Sequence, residues 1–378
     1  MAKETMKKTT SKKNASHQKT SSAKSASGRS RGGSKKRASK KKKRMMIFGI
    51  EIAVILILVL GFWVVSKLDK IQKPKVEQDQ IEVNESLQES TMETMKGYTT
   101  VALFGLDTRE AGQLGSGNRS DTIIIASINN DTKEVKLVSV YRDTYLNLTN
   151  GKYNKCNSAY SSGGPAQAIS MLNTNLDLDI EYYVSVDFAA LTKTIDLLGG
   201  IDIDVDDAEI EHLNNYIVET SKVTGIQTQP LTSTGLQTLD GVQATSYCRI
   251  RYTAGDDFKR TERQREVIMQ LVSKAKKMDI SKVNDIIDAV FPLIATNYTN
   301  DELVAMAPQL LTYDIVDTTG FPFDKANATV KGKGSCVVPV NLEENVKQLH
   351  EYLFGNADYQ PSNEVTEISS KINSETGY

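Results

Sequence analysis

"DTIIIASINNDTKEVKLVSVYRDT", Asp121 to Thr144, holds two strand-like runs around a turn. Asp121–Asn129 ("DTIIIASIN") is rich in β-branched residues, which fit a pleated, half-buried surface. "NNDTK" supplies turn residues. Lys133–Tyr141 ("KEVKLVSVY") alternates polar and apolar residues, the period-2 mark of a strand with one wet face. This is an antiparallel hairpin, and a hairpin brings its outer ends together. Arg119 and Asp121 at the entry should therefore neighbour Arg142 and Asp143 at the exit.

Upstream, "YTTVALFGLD" (Tyr98–Asp107) is a further buried strand. Downstream, Gly163–Leu178 reads as a helix with Pro165 in its first turn and Ala168, Met171, Leu172 and Leu176 on one face. Strand "YYVSVDF", helix "AALTKTIDLLGG" closed by Gly199 and Gly200, and strand "IDIDV" follow. Residues 207–238 are polar and read as loop-rich. "SYCRIRYT" (Ser246–Thr253) alternates like a strand, which would put Arg249 and Arg251 on one face. A long helix starts near Thr261, and two more cover 283–297 and 299–313. A strand near "SCVVPV" and helix "NLEENVKQLHEYLF" close the domain. Strands mixed with helices predict an α/β fold, an α-β-α sandwich around a central mixed sheet.

The charge is divided along the chain. Residues 1–44 carry 17 Lys and Arg against one acid, while the remainder carries 29 bases against 46 acids. The basic stretch lacks apolar residues to bury and is expected to be disordered. Met45–Ser66 is apolar and long enough to cross a bilayer as a helix. Lys40–Arg44 abuts its N-terminal side, so the positive-inside rule puts 1–44 in the cytosol and the body outside the cell membrane as a single-pass protein. No small-residue cleavage site follows, which favours an uncleaved signal-anchor. The expected organisation is tail 1–44, transmembrane helix 45–66, stalk 67–96, globular domain 97–356 and polar tail 357–378. The basic tail serves topology and anionic lipid in this reading, and no nucleic acid partner is expected. Cys156, Cys248 and Cys336 fit one disulfide plus a free thiol, or three small buried hydrophobes.

The P-loop, HExxH, GxSxG and GxGxxG patterns are absent, and only His212 and His350 lie in the body. Arginines and aspartates at strand ends remain. Arg260 and Gln264 share a face near the start of the long helix. Clustered guanidiniums need a counter-charge, and phosphate matches their planar fork. Two aspartates entering the same place suit a hard cation, Mg²⁺ or Mn²⁺. Lys259, Glu262 and Arg265 read as solvated positions, and Arg263 is undecided.

"FGLDTRE", "RSDT", "SVYRDT", "YCRIRY" and "GDDFKRTERQREVI" together resemble the motif series of the LytR–CpsA–Psr family, in order over roughly 97–275. The resemblance implies a phosphotransferase that moves a glycopolymer (wall teichoic acid, capsule or another wall polymer) from undecaprenyl pyrophosphate to peptidoglycan, beside the lipid bilayer, with a pyrophosphatase side activity. It implies an apolar tunnel for the lipid, for which the helices at 165–178 and 283–297 are candidates. It makes Asp107 and Asp121 the metal ligands and Arg119, Arg142, Arg249, Arg251, Arg260 and Gln264 the pyrophosphate grip. Asp257 becomes the candidate general base, with Arg142 and Arg249 as catalytic partners. Tyr141 departs from the family pattern, where many members have proline. The rival readings are a membrane-bound transcriptional regulator and a polyprenyl-pyrophosphate binding protein without chemistry.

Overall fold

The computed structural model describes residues 61–378 except 77–79, 109, 252 and 254, together with 52, 55 and 59. Phe62–Tyr378 forms one compact unit. The expected span Met45–Ser66 and tail 1–44 fall largely or wholly outside the described residues. Among the described residues no helix is long and apolar enough to cross a membrane.

The elements are α1 (Glu89–Met95), β1 (Tyr98–Asp107), β2 (Arg119–Asn129), β3 (Glu134–Val140), β4 (Tyr145–Asn147), β5 (Tyr153–Lys155), α2 (Ser158–Leu176) and β6 (Tyr182–Asp187). Then come α3 (Phe188–Leu197), β7 (Ile201–Val205), α4 (Ile210–Thr224), β8 (Gly235–Leu239), α5 (Gly241–Tyr247), α6 (Asp256–Lys276), α7 (Val283–Val290) and β9 (Ile294–Thr296). The chain ends with α8 (Asn300–Met306), β10 (Asp314–Phe321), β11 (Lys325–Val330), β12 (Gly334–Pro339), α9 (Leu342–Phe354) and α10 (Asn363–Thr376).

Six strands form one mixed sheet in the order β10-β3-β2-β1-β6-β9. The hairpin β2–β3 is antiparallel as expected, β1 pairs antiparallel to β2, and β6 and β10 add parallel to β1 and β3. The C-terminal ends of β1, β3, β6 and β10 therefore share one edge with the start of β2. The apolar strand residues serve two faces, as period-2 alternation requires. Phe104, Ile123, Ile125, Val138 and Val140 pack against α2, α9 and α10. Leu103, Ile124, Ala126, Val135 and Leu137 face Ile268 of α6 on the other side. A satellite core joins β7, β8 and helices α3 to α6 through residues such as Ile203, Leu213, Val242 and Val267.

Several expectations change. Ser246–Thr253 is not a strand. A capping box between Asp240 and Gln243 starts α5, and Arg249 N and Ile250 N bond back to Ser246 O and Tyr247 O in a tight turn. The polar stretch 207–238 holds helix α4 and strand β8, and 294–296 is a strand rather than helix. The stalk reading of 67–96 also yields. Gln72 bridges Ala295 of β9, Leu87 is buried and α1 packs on the domain. The tail at 357–378 is mostly α10, whose Val365, Ile368 and Ile372 enter the main core. The three cysteines are free and buried, so the hydrophobe alternative holds and the disulfide does not.

Candidate functional site

The first site element is an irregularity in the sheet. β1 and β2 pair regularly up to Gly105 with Thr122, then resume at Leu106 with Ser120. Asp121 is the extra residue between them, a β-bulge of the sort that re-aims a side chain beside a site. Its Oδ2 accepts from Arg142 Nη1 at 2.8 Å and from Arg251 Nη2 at 3.2 Å. Its backbone carbonyl accepts from Arg260 Nη2 at 3.2 Å. The expected meeting of hairpin ends is thus present for Arg142 and Asp121. Asp143 turns away and pairs with Lys155 at 3.3 Å.

The start of α6 supplies the second carboxylate. Asp257 Oδ1 lies 2.9 Å from Arg260 Nη2, one helical turn on, and 3.4 Å from Arg142 Nε. Three guanidiniums, of Arg142, Arg251 and Arg260, thus surround two carboxylates, a net positive centre. Arg260 is almost fully buried, its side chain 2 % exposed. Burial pushes it down to about 10, Asp257 works against that, and Arg142 and Arg251 add to the fall. Burial opposes ionisation of Asp121, but Arg142, Arg260 and Arg251 outweigh it and hold its carboxyl below the usual range. Burial also works against charge on Arg142, yet Asp121 and Asp257 raise it.

This cluster is not saturated. Asp121 Oδ1, Asp257 Oδ2, Arg142 Nε, Arg260 Nε and Gln264 Oε1 are buried without a hydrogen-bond partner. Buried polar atoms are normally paired, so this concentration marks a place built to hold something charged. The donors suit phosphate oxygens. An ionised carboxylate with one unengaged oxygen, beside Asp107 on the paired strand, suits Mg²⁺, which takes one or two carboxylates and keeps several waters. Among the described residues no three His, Cys, Asp or Glu side chains converge as a ready-made metal cage.

The cluster caps an apolar cavity of about 500 Å³. Its floor is the sheet at Leu103, Gly105, Ile124, Val184 and Val186. Its walls are α3, α6 and α7 with β9, through residues such as Leu191, Leu271 and Ile286. Asp107, Asp121, Arg249, Arg251, Arg260 and Gln264 lie on its lining, and no residue of β3 or β10 does. Of the two helices expected to line a tunnel, α7 does so, whereas 165–178 belongs to α2 and packs in the core on the opposite face.

Arg249 stands apart from the Asp121 group. Its Nη1 donates to Thr220 Oγ1 at 3.0 Å and its Nη2 to Glu219 at 2.9 Å. The guanidinium lies over the rings of Phe188 and Tyr216, 4.7 and 5.2 Å from their centroids. Gln264 donates to Cys248 O at 3.4 Å. Arg119 is exposed opposite Asp107 across the β1–β2 pair, at the rim rather than on the lining. Arg263 is structural: it is buried, pairs with Glu209 at 2.8 Å and donates to Ile250 O and Thr253 Oγ1. It thereby pins the turn that carries Arg249 and Arg251. Lys259 and Glu262 lie on the surface as expected, and there they pair with each other. Arg265 does not follow: it is only 9 % exposed, because the α6 face that carries it turns toward the domain rather than outward.

The reading of 207–238 as loop hid Tyr216, Glu219 and Thr220, which hold Arg249. The signal was there, since Leu213, Ile217 and Thr220 repeat at helical spacing in α4 and are buried.

The LytR_cpsA_psr family model matches residues 59–351. The chain is 33% identical over 277 residues to a protein of Enterococcus faecalis named polyisoprenyl-teichoic acid–peptidoglycan teichoic acid transferase TagU, covering 70% of this chain and 83% of that one. It is 27% identical over 236 residues to the Bacillus subtilis transferase TagT, covering 61% and 70%. A solved structure of TagT bound to LI-WTA superposes with a TM-score of 0.54 over 70% of this chain and 93% of that one, at 21% identity, a likeness of fold. The match across most of the domain that carries these arginines and aspartates places the chain in the LytR–CpsA–Psr family.

Proposed function

We propose that this protein transfers a glycopolymer from a polyprenyl-pyrophosphate carrier to peptidoglycan, from a catalytic domain held outside the cell membrane by a single N-terminal span. The observation that carries this reading is an apolar cavity ending at a net-positive cluster with unpartnered buried polar atoms. A lipid chain and its pyrophosphate need both features in that order, and relatives named as teichoic acid transferases agree with it.

In this mechanism the lipid chain lies along Leu103, Val184, Ile286 and Ile294. Arg142, Arg251 and Arg260 hold the pyrophosphate, and Arg249, stacked on Phe188 and Tyr216, guards the lining. An acceptor sugar hydroxyl attacks the sugar-proximal phosphorus. The new P–O bond forms as the bond to the bridging oxygen breaks, and polyprenyl phosphate departs. Asp257 Oδ2, free of protein partners, accepts the hydroxyl proton. The arginines are fixed before the reaction by the carboxylates of Asp121 and Asp257 and by the Asp121 carbonyl, so they stabilise developing charge without reorganising. Magnesium held by Asp107 and Asp121 would neutralise further negative charge on the pyrophosphate oxygens.

The test uses full-length protein in nanodiscs with a polyprenyl-pyrophosphoryl glycan and peptidoglycan, reading label on the acceptor. Arg142→Ala and Asp257→Asn are expected to lower transfer by about a hundredfold or more while the fold persists. Variants that transfer like wild type would sink the assignment. Tight lipid binding with no transfer by wild type would leave a binding protein without chemistry.

A further inference from the structure

The sheet edge has an order that the cavity does not use up. The cavity occupies the β2-β1-β6-β9 side, and the Asp121–Arg142 cluster sits at the ends of β2 and β3. On the far side, beyond β3, lie β10 and the start of β11. A donor with its lipid in the cavity and its pyrophosphate on the arginines has its remaining length toward solvent or toward this side.

Two cations that form no ion pair among the described residues stand there. Lys325, the first residue of β11, is half-buried. Its Nζ lies 5.3 Å from the ring centroid of Tyr141 and 5.0 Å from that of Phe258. Those rings meet edge to face at 4.6 Å, and Nζ makes one hydrogen bond, to Phe323 O at 3.3 Å. Tyr141 and Phe258 are the chain neighbours of Arg142 and Asp257, so the ammonium is joined to the reaction centre through two rigid rings. Arg265, two turns along α6 from Phe258, is nine-tenths buried and donates only to Thr261 Oγ1 at 3.4 Å. The acids in the neighbourhood are otherwise engaged or exposed: Glu262 pairs with Lys259 though its charge also reaches Arg265, Asp257 pairs with Arg260 and Arg142, Asp317 interacts with Tyr352, and Asp324 is exposed. Tyr141 is itself held in place, since a Cβ at Gly320 would run into its hydroxyl. Aromatic faces fix a cation without cancelling its charge. An ordinary surface lysine would be solvated or ion-paired instead.

We propose that Lys325, caged by Tyr141 and Phe258 with Arg265 behind it, is a second anion subsite that takes the first phosphodiester of the donor's polymer, beyond the pyrophosphate. This deepens the transfer reading and rests on it, because it selects polymers that are themselves anionic phosphate chains over neutral glycans.

The experiment compares two soluble probes with full-length protein in nanodiscs: a farnesyl-pyrophosphoryl disaccharide, and the same molecule ending in one glycerol phosphate. Titration of each gives the ratio of the two dissociation constants. Wild type should favour the phosphate-bearing probe by about tenfold, Lys325→Met should bring the ratio near one, and Lys325→Arg should restore most of the preference. An equal ratio in wild type, or a preference that Lys325→Met leaves intact, overturns the subsite. Thermal melts of both variants separate loss of fold from loss of selectivity. Binding decides the subsite whether or not label reaches peptidoglycan. Transfer failing while the ratio holds would overturn the transferase reading and leave the subsite standing.

Discussion

At the scale of the residue, His350 shows how a group remote from the chemistry sets the tolerance of the fold to acid. Its Nε2 lies 2.9 Å from Leu176 O, its ring stacks on Tyr359 at 3.7 Å, and its Nδ1 has no partner. Burial lowers it to about 4, although the Leu176 carbonyl and Asp177 pull the other way. A proton added to Nδ1 would put a second donor where there is no acceptor. The unfolded chain, with its histidine near 6.5, binds the proton first as pH falls. Stability is therefore complete above about 6.5 and lost as pH drops toward 4, by about 3 kcal/mol at most. Urea titrations at pH 7 and 4.5 should show that loss in wild type and a smaller one in His350→Gln; equal losses in the two proteins would disprove it. The residues of the site divide by how local their signal is. Arg142 with Asp121 was legible because a hairpin closes its own ends. Asp257 with Arg260 was missed, because the helix was expected to start near Thr261 and in fact starts at Asp256, which puts the two side chains one turn apart. The partners of Arg249 lie on α3 and α4, and neither periodicity nor charge in the sequence points across that distance.

Elements were legible where their apolar pattern stood alone. β1, β2 and β3 read correctly because Ile and Val runs between turn residues leave few other options. α10 did not, because Val365, Ile368 and Ile372 are only three apolar residues in an otherwise polar stretch. Their spacing of three and four still marks one helical face, and all three are buried. The reading of 357–378 as a tail makes a quantitative contrast. Ile372→Ala removes a side chain 1 % exposed in the main core and should cost about 3 kcal/mol, seen as a lower urea midpoint with an unchanged slope. No shift would mean that α10 does not dock. The short edge β9 was missed for a different reason. Its three residues gain their pairing from Val184–Val186 on one side and from the backbone of Gln72 on the other, both distant in sequence.

At the scale of the whole molecule, the segment read as a stalk is joined to the wall of the cavity. Lys67 and Lys70 pair with Asp288 of α7, and Gln72 Nε2 donates to Gly112 O and Pro292 O at 2.7 and 2.8 Å. Ile286 and Val290 of the same helix line the cavity. Composition alone could separate a basic tail from an acidic body, but not show that the intervening charged residues dock, because ion pairs depend on three-dimensional proximity. The proposed role makes the basic tail dispensable for chemistry. Deleting residues 1–36, which spares Lys40–Arg44 and the expected topology, should leave transfer within about twofold of wild type. Loss of function on that deletion, with the protein still in the membrane, would favour a regulatory role for the tail.

Asp121 occupies a position that the sheet itself does not need. Ser120 already pairs with Leu106 and Thr122 with Gly105, so removing the intervening residue would let the two strands zip without changing the alignment of any other pair. A one-codon deletion there would keep the architecture and strip Arg142 and Arg251 of their shared carboxylate. Under the proposed transfer role, gene duplicates would lose catalysis in a single step while remaining folded, and a sister sequence lacking this aspartate would then read as a retired enzyme rather than a different fold.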